Sequence, residues 1–217
     1  QCLSGIQPSL DYTEVSYIDS QEDKSLNSVY ALAAVVDARH YYNRSHWRKV
    51  KETVTVMAKA ISMEPANIER LQTCALLHDI GKIVIPDKLI NKRGRLSAEE
   101  WEVIKSHPQV GANIVGHNKQ LACCIPSILH HHERYDGSGY PAGIKGEDIP
   151  LDARIIAIAD SFAAMTSDRS YSDALTPQMA LREIKQRSGV QFDPSLVEVF
   201  ASCVEDRLLL PQERKPV

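Results

Sequence analysis

The sequence ends an apolar helical pattern in a His-Asp pair, within Leu76-Leu77-His78-Asp79-Ile80-Gly81-Lys82. His78 and Asp79 offer an imidazole nitrogen and a carboxylate from one point of the backbone, which suits a metal site. Because a carboxylate has two oxygens, Asp79 is able to bridge two cations. Lys82 would follow as a fixed positive charge for an anionic substrate, and we expect Gly81 to end the helix in a left-handed turn.

More side chains of the same kinds lie at predicted helix ends or on apolar helix faces. A single inward histidine is more often a core residue than a ligand, and a buried aspartate needs a partner because desolvating an unpaired carboxylate is costly. Together with the His-Asp pair, however, these side chains give seven candidate metal ligands. A closed zinc site takes only four ligands. The set is His46, His78, Asp79, His107, His131, His132 and Asp160.

Seven nitrogen and oxygen ligands suit two metals that share one carboxylate. Imidazole and carboxylate ligands without thiolate indicate iron, manganese or zinc rather than calcium. Two metals about 3.5–4 Å apart activate a bridging hydroxide and clamp a phosphoryl group. The residue types therefore predict hydrolysis of a phosphate ester.

The composition excludes several other classes of protein. The 217 residues are 43% hydrophobic and 24% charged, as in ordinary globular proteins. A formal net charge of −3 argues against a general binder of nucleic-acid polymers or membrane surfaces. We find no apolar stretch of the ~20 residues that a membrane span needs and no signal peptide. Five cysteines without a C-x-x-C pair indicate a reducing cytosol, so we expect a cytoplasmic protein.

Apolar residues recur at helical spacing along most of the chain, and no segment alternates like a strand. We therefore predict an all-α fold with helices over 26–42, 47–62, 66–78, 97–106, 107–115, 123–132 and 150–166, and two more that open at Thr176-Pro177 and Asp193-Pro194. Ser97 and Glu100 are spaced as a capping box. Residues 84–95 are predicted as loop, and the glycine-rich loop over 136–146 as a wall above the site. Residues 1–25 are interpreted as a linker or the tail of a missing upstream domain, 26–210 as the domain and 211–217 as a polar C-terminal tail.

These motifs resemble the HD-GYP family, a branch of the HD phosphohydrolase superfamily. The resemblance is carried by His78-Asp79-Ile80-Gly81-Lys82 with Gly139-Tyr140-Pro141, and it covers about residues 28 to 205. Further matching segments are Ile85-Pro86-Asp87, Lys105-Ser106-His107-Pro108, His131-His132-Glu133-Arg134-Tyr135-Asp136-Gly137, Ala153-Arg154-Ile155, Asp160, Thr166-Ser167-Asp168-Arg169-Ser170-Tyr171 and Phe192-Asp193-Pro194. The resemblance implies an HD-domain helical bundle with a binuclear metal site in its core. It also implies a bacterial phosphodiesterase that hydrolyses cyclic di-GMP to linear pGpG, GMP or both.

The resemblance further implies a role for each site residue. One metal would take His46, His78, Asp79 and Asp160, and the second would take Asp79, His107, His131 and His132. Two divalent ions are expected, iron or manganese first, with zinc or nickel as alternatives. Asp79 and Lys82 would serve catalysis through a hydroxide that bridges the metals, while Lys82, Arg169 and Tyr140 would contact substrate. The family pattern implies an upstream sensory or receiver domain and leaves a homodimer open.

Three positions depart from the family pattern. Tyr42 stands where members with a third metal carry Glu, which predicts two metals here. Ala163 stands where Asp is usual and Ser172 where a basic residue is common, so contacts around the metals and the phosphate are thinned. Two alternatives therefore stay open: a catalytically weak signalling module that binds metal and nucleotide, and a hydrolase of another cyclic dinucleotide such as a hybrid one. Of the other histidines, His40 and His117 are expected at the surface and His130 as a packing neighbour.

Overall fold

The computed structural model describes residues 30–36, 39, 46–92, 94–167 and 174–206, and these are all helix, turn or loop. Within them, three 3-10 helices cover Ile80–Val84, Lys119–Cys124 and Gly146–Asp148. The described residues hold no strand, only one isolated bridge between Ser188 and Phe192. The predicted all-α fold is confirmed. The α-helices are α1 (30–36), α2 (His46–Ala60), α3 (Pro65–Leu77), α4 (Asp87–Ile90), α5 (Ala98–Lys105), α6 (His107–Gly116), α7 (Ile125–His130), α8 (Leu151–Met165), α9 (Pro177–Gln186) and α10 (Pro194–Glu205).

Helix α2 lies at the centre of the core and packs chiefly against α3 and α8. Val50, Val54 and Met57 form its inward stripe and are completely buried, as their spacing predicts. Helix α6 packs against α7 and against the 3-10 helix Ile80–Val84. These two groups of helices meet where α3 ends, so the core fixes the relative positions of the helix ends that carry the predicted ligands.

The predicted helix starts are confirmed by their hydrogen bonds. Ser97 accepts from the backbone N–H of Glu100 while the Glu100 carboxylate accepts from the N–H of Ser97, which is the reciprocal capping box. Thr176 caps α9, and Asp193 caps α10 through the N–H groups of Ser195 and Leu196. A proline follows in the first turn of both helices, where its missing N–H costs nothing.

Two segments differ from the prediction in their secondary structure. The predicted loop over 84–95 contains the short helix α4, which begins directly after Pro86. The predicted helix over 123–132 is divided into the 3-10 helix Lys119–Cys124 and α7, with Pro126 in the first turn of α7. Proline fixes φ near the helical value and lacks an N–H, so it starts a helix more readily than it continues one.

The expectation that Gly81 ends a helix in a left-handed turn is wrong. Helix α3 ends at Leu77, and Gly81 lies inside the 3-10 helix without a positive φ. A glycine is required there for a different reason: a Cβ on Gly81 would lie 1.9 Å from the carbonyl oxygen of His107. The close backbone contact brings the His-Asp pair against the start of α6.

Several predictions concern residues outside the described part of the chain. These are the domain limits at 25/26 and 210/211, His40, Tyr42, Arg169 and Ser172. The domain limits stay predictions. Among the helices that the structure describes, none combines the length and the apolar character that a membrane span requires.

Candidate metal centre

Five elements bring the predicted ligands to one place. Most of these ligands stand at helix ends, where the backbone changes direction and side chains from different helices meet. His46 begins α2, His78 and Asp79 follow α3, His107 begins α6, His131 and His132 follow α7, and Asp160 lies on α8. All seven predicted positions therefore converge, and their role as metal ligands stays a prediction.

Asp79 lies between two groups of imidazoles. Its Oδ1 is 3.3 Å from Nε2 of His107 and 3.9 Å from Nε2 of His131, while its Oδ2 is 3.4 Å from Nε2 of His78. Two sets of donor atoms, each within 4.8 Å of one another, share this carboxylate. One set is Asp79, His107, His131 and His132; the other is His46, His78 and Asp79.

Asp160 joins the set that contains His46. Its Oδ1 lies 2.9 Å from Nε2 of His46 and 3.8 Å from Nε2 of His78. The carboxylate on the apolar face of α8 thus has the partners that its burial requires. The grouping agrees with the division into two ligand sets implied by the family resemblance.

Three of the histidines are oriented in the same way by the backbone. Nδ1 of His78, His107 and His131 lies 2.6 to 2.7 Å from the carbonyl oxygen three residues earlier. A carbonyl oxygen only accepts, so Nδ1 carries the proton. The other ring nitrogen, Nε2, then points to the centre of the cluster, where its lone pair can bind a metal ion when the ring is deprotonated there. A backbone acceptor on one ring nitrogen is how proteins fix a histidine that binds metal through the other.

Several buried polar atoms in this cluster make no hydrogen bond within the described part of the chain. They include Nδ1 of His46, Nε2 of His78 and Oδ1 of Asp79. Unsatisfied buried polar atoms are uncommon in folded proteins and often mark a place for an ion or a reacting group. Nitrogen and carboxylate donors without thiolate fit divalent transition metals. The cluster could therefore hold metal ions.

The two carboxylates make the cluster attractive to positive charge. Burial raises the pKa of Asp79, but Lys82 and His78 outweigh it and hold that pKa well below its ordinary value. Burial likewise opposes ionisation of Asp160, yet His46 and His78 hold its pKa well below the ordinary value. Burial lowers the pKa of His78, and Asp79 and Asp160 overcome it and raise the pKa to about 10.

In the other group, the pKa values of two imidazoles are lowered. Burial, with electrostatic repulsion between it and the neighbouring histidines, holds the pKa of His131 well below its ordinary value. Burial and His107 lower the pKa of His132 to about 3. Neutral imidazole is the form that binds metal.

The predicted substrate contacts are placed at the edge of the cluster, as far as the structure describes them. The Nζ of Lys82 lies 2.5 Å from Oδ2 of Asp79. The ring of Tyr140 is stacked on that of His132, with centroids 4.9 Å apart and planes 29° apart. Arg169 lies outside the described residues.

Glu133 is a residue whose role sequence reasoning missed. Its buried carboxylate accepts hydrogen bonds from the backbone N–H groups of Ala142, at 2.7 Å, and Gly143, at 3.1 Å, and Nδ1 of His130 is 3.5 Å away. The glycine-rich loop is thereby tied to the end of α7. At Gly139, a Cβ would lie 2.3 Å from the backbone nitrogen of Arg134, so the loop is also closed tightly over this end. The sequence signal that could have identified Glu133 is an acidic residue directly after three histidines.

Arg39 is a second residue that sequence reasoning missed. Its guanidinium donates to the carbonyl oxygens of Lys82, Ile83 and Ile85 and to Oδ1 of Asp87. Arg39, which lies beyond the end of α1, is thus fastened to the segment that follows the His-Asp pair. No local pattern announces this contact, because its partners are more than 40 residues away in the sequence.

The comparisons with known proteins identify the family of this chain. The family model described as HD domain matches residues 29–196. The chain therefore belongs to the HD domain family, and the family recognised from its motifs is confirmed. Its relatives include two bacterial enzymes. A "3'3'-cGAMP-specific phosphodiesterase 2" of Vibrio cholerae is 33% identical over 193 residues, which cover 88% of this chain and 37% of that protein. The "Cyclic di-GMP phosphodiesterase response regulator RpfG" of Xanthomonas campestris is 33% identical over 194 residues, with 88% and 51% covered.

A solved structure supports the fold. The crystal structure of a cyclic GMP-AMP-specific phosphodiesterase of Vibrio cholerae superimposes with a TM-score of 0.65 at 24% identity, over 86% of this chain and 51% of that one. The HD-domain bundle is thus confirmed. The chain spans 37% and 51% of the length of the two curated relatives described above.

Proposed function

We propose that this protein is a metal-dependent phosphodiesterase that hydrolyses cyclic di-GMP to linear pGpG, GMP or both. The observation that carries the proposal is the common orientation of three histidines, whose Nδ1 atoms face backbone carbonyls while their Nε2 atoms face Asp79. Relatives of this chain that bear the name of cyclic-dinucleotide phosphodiesterases support the substrate class.

Two divalent ions would be held by the two donor sets that share Asp79. His46, His78, Asp79 and Asp160 would hold one, and Asp79, His107, His131 and His132 the other. We propose iron or manganese, with zinc or nickel as alternatives, because the donors are nitrogen and carboxylate oxygen without sulfur. When bound, such a pair supplies Lewis-acid activation of water and stabilises charge on the phosphoryl group.

The side chains of this chain would position the substrate. Lys82 sits beside Asp79, where it offsets the charge that develops on the phosphoryl oxygens. Tyr140 stacks on His132 at the edge of the cluster, where its ring would limit the access of bulk water. Arg169 is proposed as a second phosphate contact on the family pattern alone.

A hybrid cyclic dinucleotide is the second candidate substrate. Relatives of comparable similarity carry names for either cyclic di-GMP or 3'3'-cGAMP. The two substrates share the phosphodiester ring and differ in one purine base, so the metal cluster does not discriminate between them.

Ala163 stands where the family usually has Asp, and this departure led us to expect weaker catalysis. Its side chain is completely buried in the hydrophobic core.

The test is turnover by protein reconstituted with Fe(II) or Mn(II) without oxygen. Cyclic di-GMP and 3'3'-cGAMP would be incubated separately, and the products resolved by chromatography. Cleavage of cyclic di-GMP supports the proposal. Cleavage of only the hybrid dinucleotide would instead support 3'3'-cGAMP as the substrate. Micromolar binding without any product would instead support a signalling module that has lost catalysis.

The setting of the reaction is part of the same proposal. The described cysteines Cys74, Cys123, Cys124 and Cys203 are free thiols, which agrees with a reducing bacterial cytoplasm. An upstream sensory or receiver domain is proposed because one relative is named a response regulator. A homodimer is a further proposal that rests on the family pattern.

A further inference from the structure

Trp101 is an exposed indole close to the candidate metal centre. It lies on the short helix α5, and 44% of its surface is accessible. Helix α5 ends at Lys105, two residues before His107.

An unbroken series of aromatic rings leads from the metal centre to Trp101. Tyr140 is stacked on His132, and it also meets Trp101 edge to face, with centroids 6.2 Å apart and planes 77° apart. One face of the Tyr140 ring is already covered by His132. Trp101 is thus the ring of the three with the largest exposed surface at the edge of the site.

The elements that carry these rings are held in place by charged contacts. The Glu100 carboxylate completes the capping box of α5 and accepts from Nζ of Lys92 at 2.5 and 2.7 Å. Glu133 ties down the loop that carries Tyr140. A ring that is fixed before binding loses little conformational freedom when a ligand stacks on it.

We propose that Trp101 is the stacking surface for one purine base of the substrate. The inference rests on the proposed function, because it assumes that the scissile phosphate lies at the metal centre. A base joined to that phosphate through one ribose extends beyond the cluster, toward the aromatic rings at its edge. Stacking on an indole suits a purine because it has a large π face, and it leaves the chemistry at phosphorus untouched.

A direct binding experiment tests the stacking alone. The chain carries two tryptophans, Trp47 and Trp101, so a Trp47→Phe protein loaded with a constant amount of Mn(II) reports on Trp101 fluorescence only. Titration with GMP is expected to quench this fluorescence saturably, whereas ribose 5-phosphate, which has the phosphate and sugar without the base, leaves it unchanged. Equal responses to both probes, or no response to GMP, overturn the proposal.

Kinetics test the same contact in turnover. Trp101→Ala is expected to raise KM for cyclic di-GMP roughly 5- to 150-fold while kcat stays within about threefold, because a base contact shared by ground and transition states affects binding alone. Trp101→Phe keeps a ring and is expected to restore most of the loss. An unchanged KM in a folded Trp101→Ala enzyme contradicts the inference. If the unmodified protein cleaves neither dinucleotide, the proposed function fails, and quenching by GMP still supports the stacking role.

Discussion

Asp79 and Asp193 are two ionised aspartates whose surroundings differ in kind. The oxygens of Asp193 have donors from within the chain: Oδ1 accepts from the backbone and hydroxyl of Ser195 and from the N–H of Leu196, and Oδ2 accepts from Arg154. Oδ1 of Asp79 is buried without a hydrogen bond in the described part of the chain, and faces the Nε2 atoms of His107 and His131.

Whether a buried carboxylate finds its hydrogen-bond donors within the chain indicates whether it acts in stability or in function. Asp193 caps a helix and forms an ion pair with Arg154, so its contribution to stability does not depend on a bound metal. Asp79 is surrounded by imidazoles whose Nδ1 atoms are already occupied by backbone carbonyls. We propose that a cation completes its remaining interactions. We therefore expect Asp193 to matter for stability, and Asp79 for metal binding and catalysis.

The largest effect is expected for Asp79→Asn. Removing the shared carboxylate should abolish binding of both metals and lower kcat/KM roughly 1,000-fold or more. The stabilisation that Mn(II) gives the unmodified protein, about 2.7 kcal/mol at 100 times its Kd, should vanish as well. Metal content by elemental analysis, turnover and thermal melts with and without Mn(II) provide the measurement.

The matched control is Asp148→Asn, at an exposed aspartate in the 3-10 helix Gly146–Asp148. It should keep both metals, full turnover and the shift with Mn(II). An Asp79→Asn protein that still holds two metals and turns over substrate would remove the distinction between the two carboxylates.

The sequence predicted which residues surround Asp79 far better than it predicted the contacts that hold them in place. The ligands could be predicted because they stand at helix ends or on apolar faces, which caps, prolines and helical spacing indicate locally. The contacts of Glu133 with Ala142 and Gly143, and of Arg39 with Lys82, depend on where separate segments meet. Hydrophobic spacing carries no information about such polar contacts to the backbone.

Gly81 shows the same limit at a single residue. A glycine after a helix usually indicates a left-handed turn, and this was our expectation. The residue is instead required by the carbonyl of His107, 26 positions further along the chain. The local pattern predicted the correct residue type for the wrong physical reason, since close backbone approach and positive φ both select glycine.

The next largest effect is expected for Asp193→Ala. The change removes a helix cap and leaves the partly buried Arg154 without its carboxylate, which should lower the free energy of unfolding by about 2–4 kcal/mol. Below its lowered melting temperature the variant should bind both metals and turn over substrate normally. Urea unfolding and metal content are the two measurements.

Ser195→Ala is the control for Asp193→Ala, since it removes one hydroxyl hydrogen bond and keeps the cap and the ion pair. It should cost about 0.5–1.5 kcal/mol. Loss of metal from a folded Asp193→Ala protein would show that this carboxylate is not confined to structure.

Glu133→Gln sharpens the comparison, because Glu133 has donors from within the chain, as Asp193 does, yet lies beside the metal centre. Glutamine keeps the shape and one acceptor oxygen but loses the charge that holds the N–H groups of Ala142 and Gly143. We expect kcat/KM to fall roughly tenfold, about 1.4 kcal/mol, since Tyr140 is held less firmly, while metal content stays unchanged. Glu147→Gln, at an exposed acid in the same region, should have no effect.

The smallest effect is expected in how the free energy of unfolding falls at acidic pH, and it depends on the charge of Asp193. Burial opposes its ionisation, but Ser195 and Arg154 prevail and lower its pKa in the folded protein. A folded pKa below the unfolded value of about 3.9 gives stability that is complete above the unfolded pKa and is lost as the pH falls through the folded pKa. The unmodified protein should therefore lose stability faster than Asp193→Asn on acidification below about pH 5.

Urea unfolding at several pH values measures, for both proteins, the slope of the free energy of unfolding against pH. The protein is used without metal, because loss of bound metal at low pH would add its own contribution to the slope. Parallel slopes would mean that the carboxylate acts through its hydrogen bonds as a cap and that its charge adds nothing.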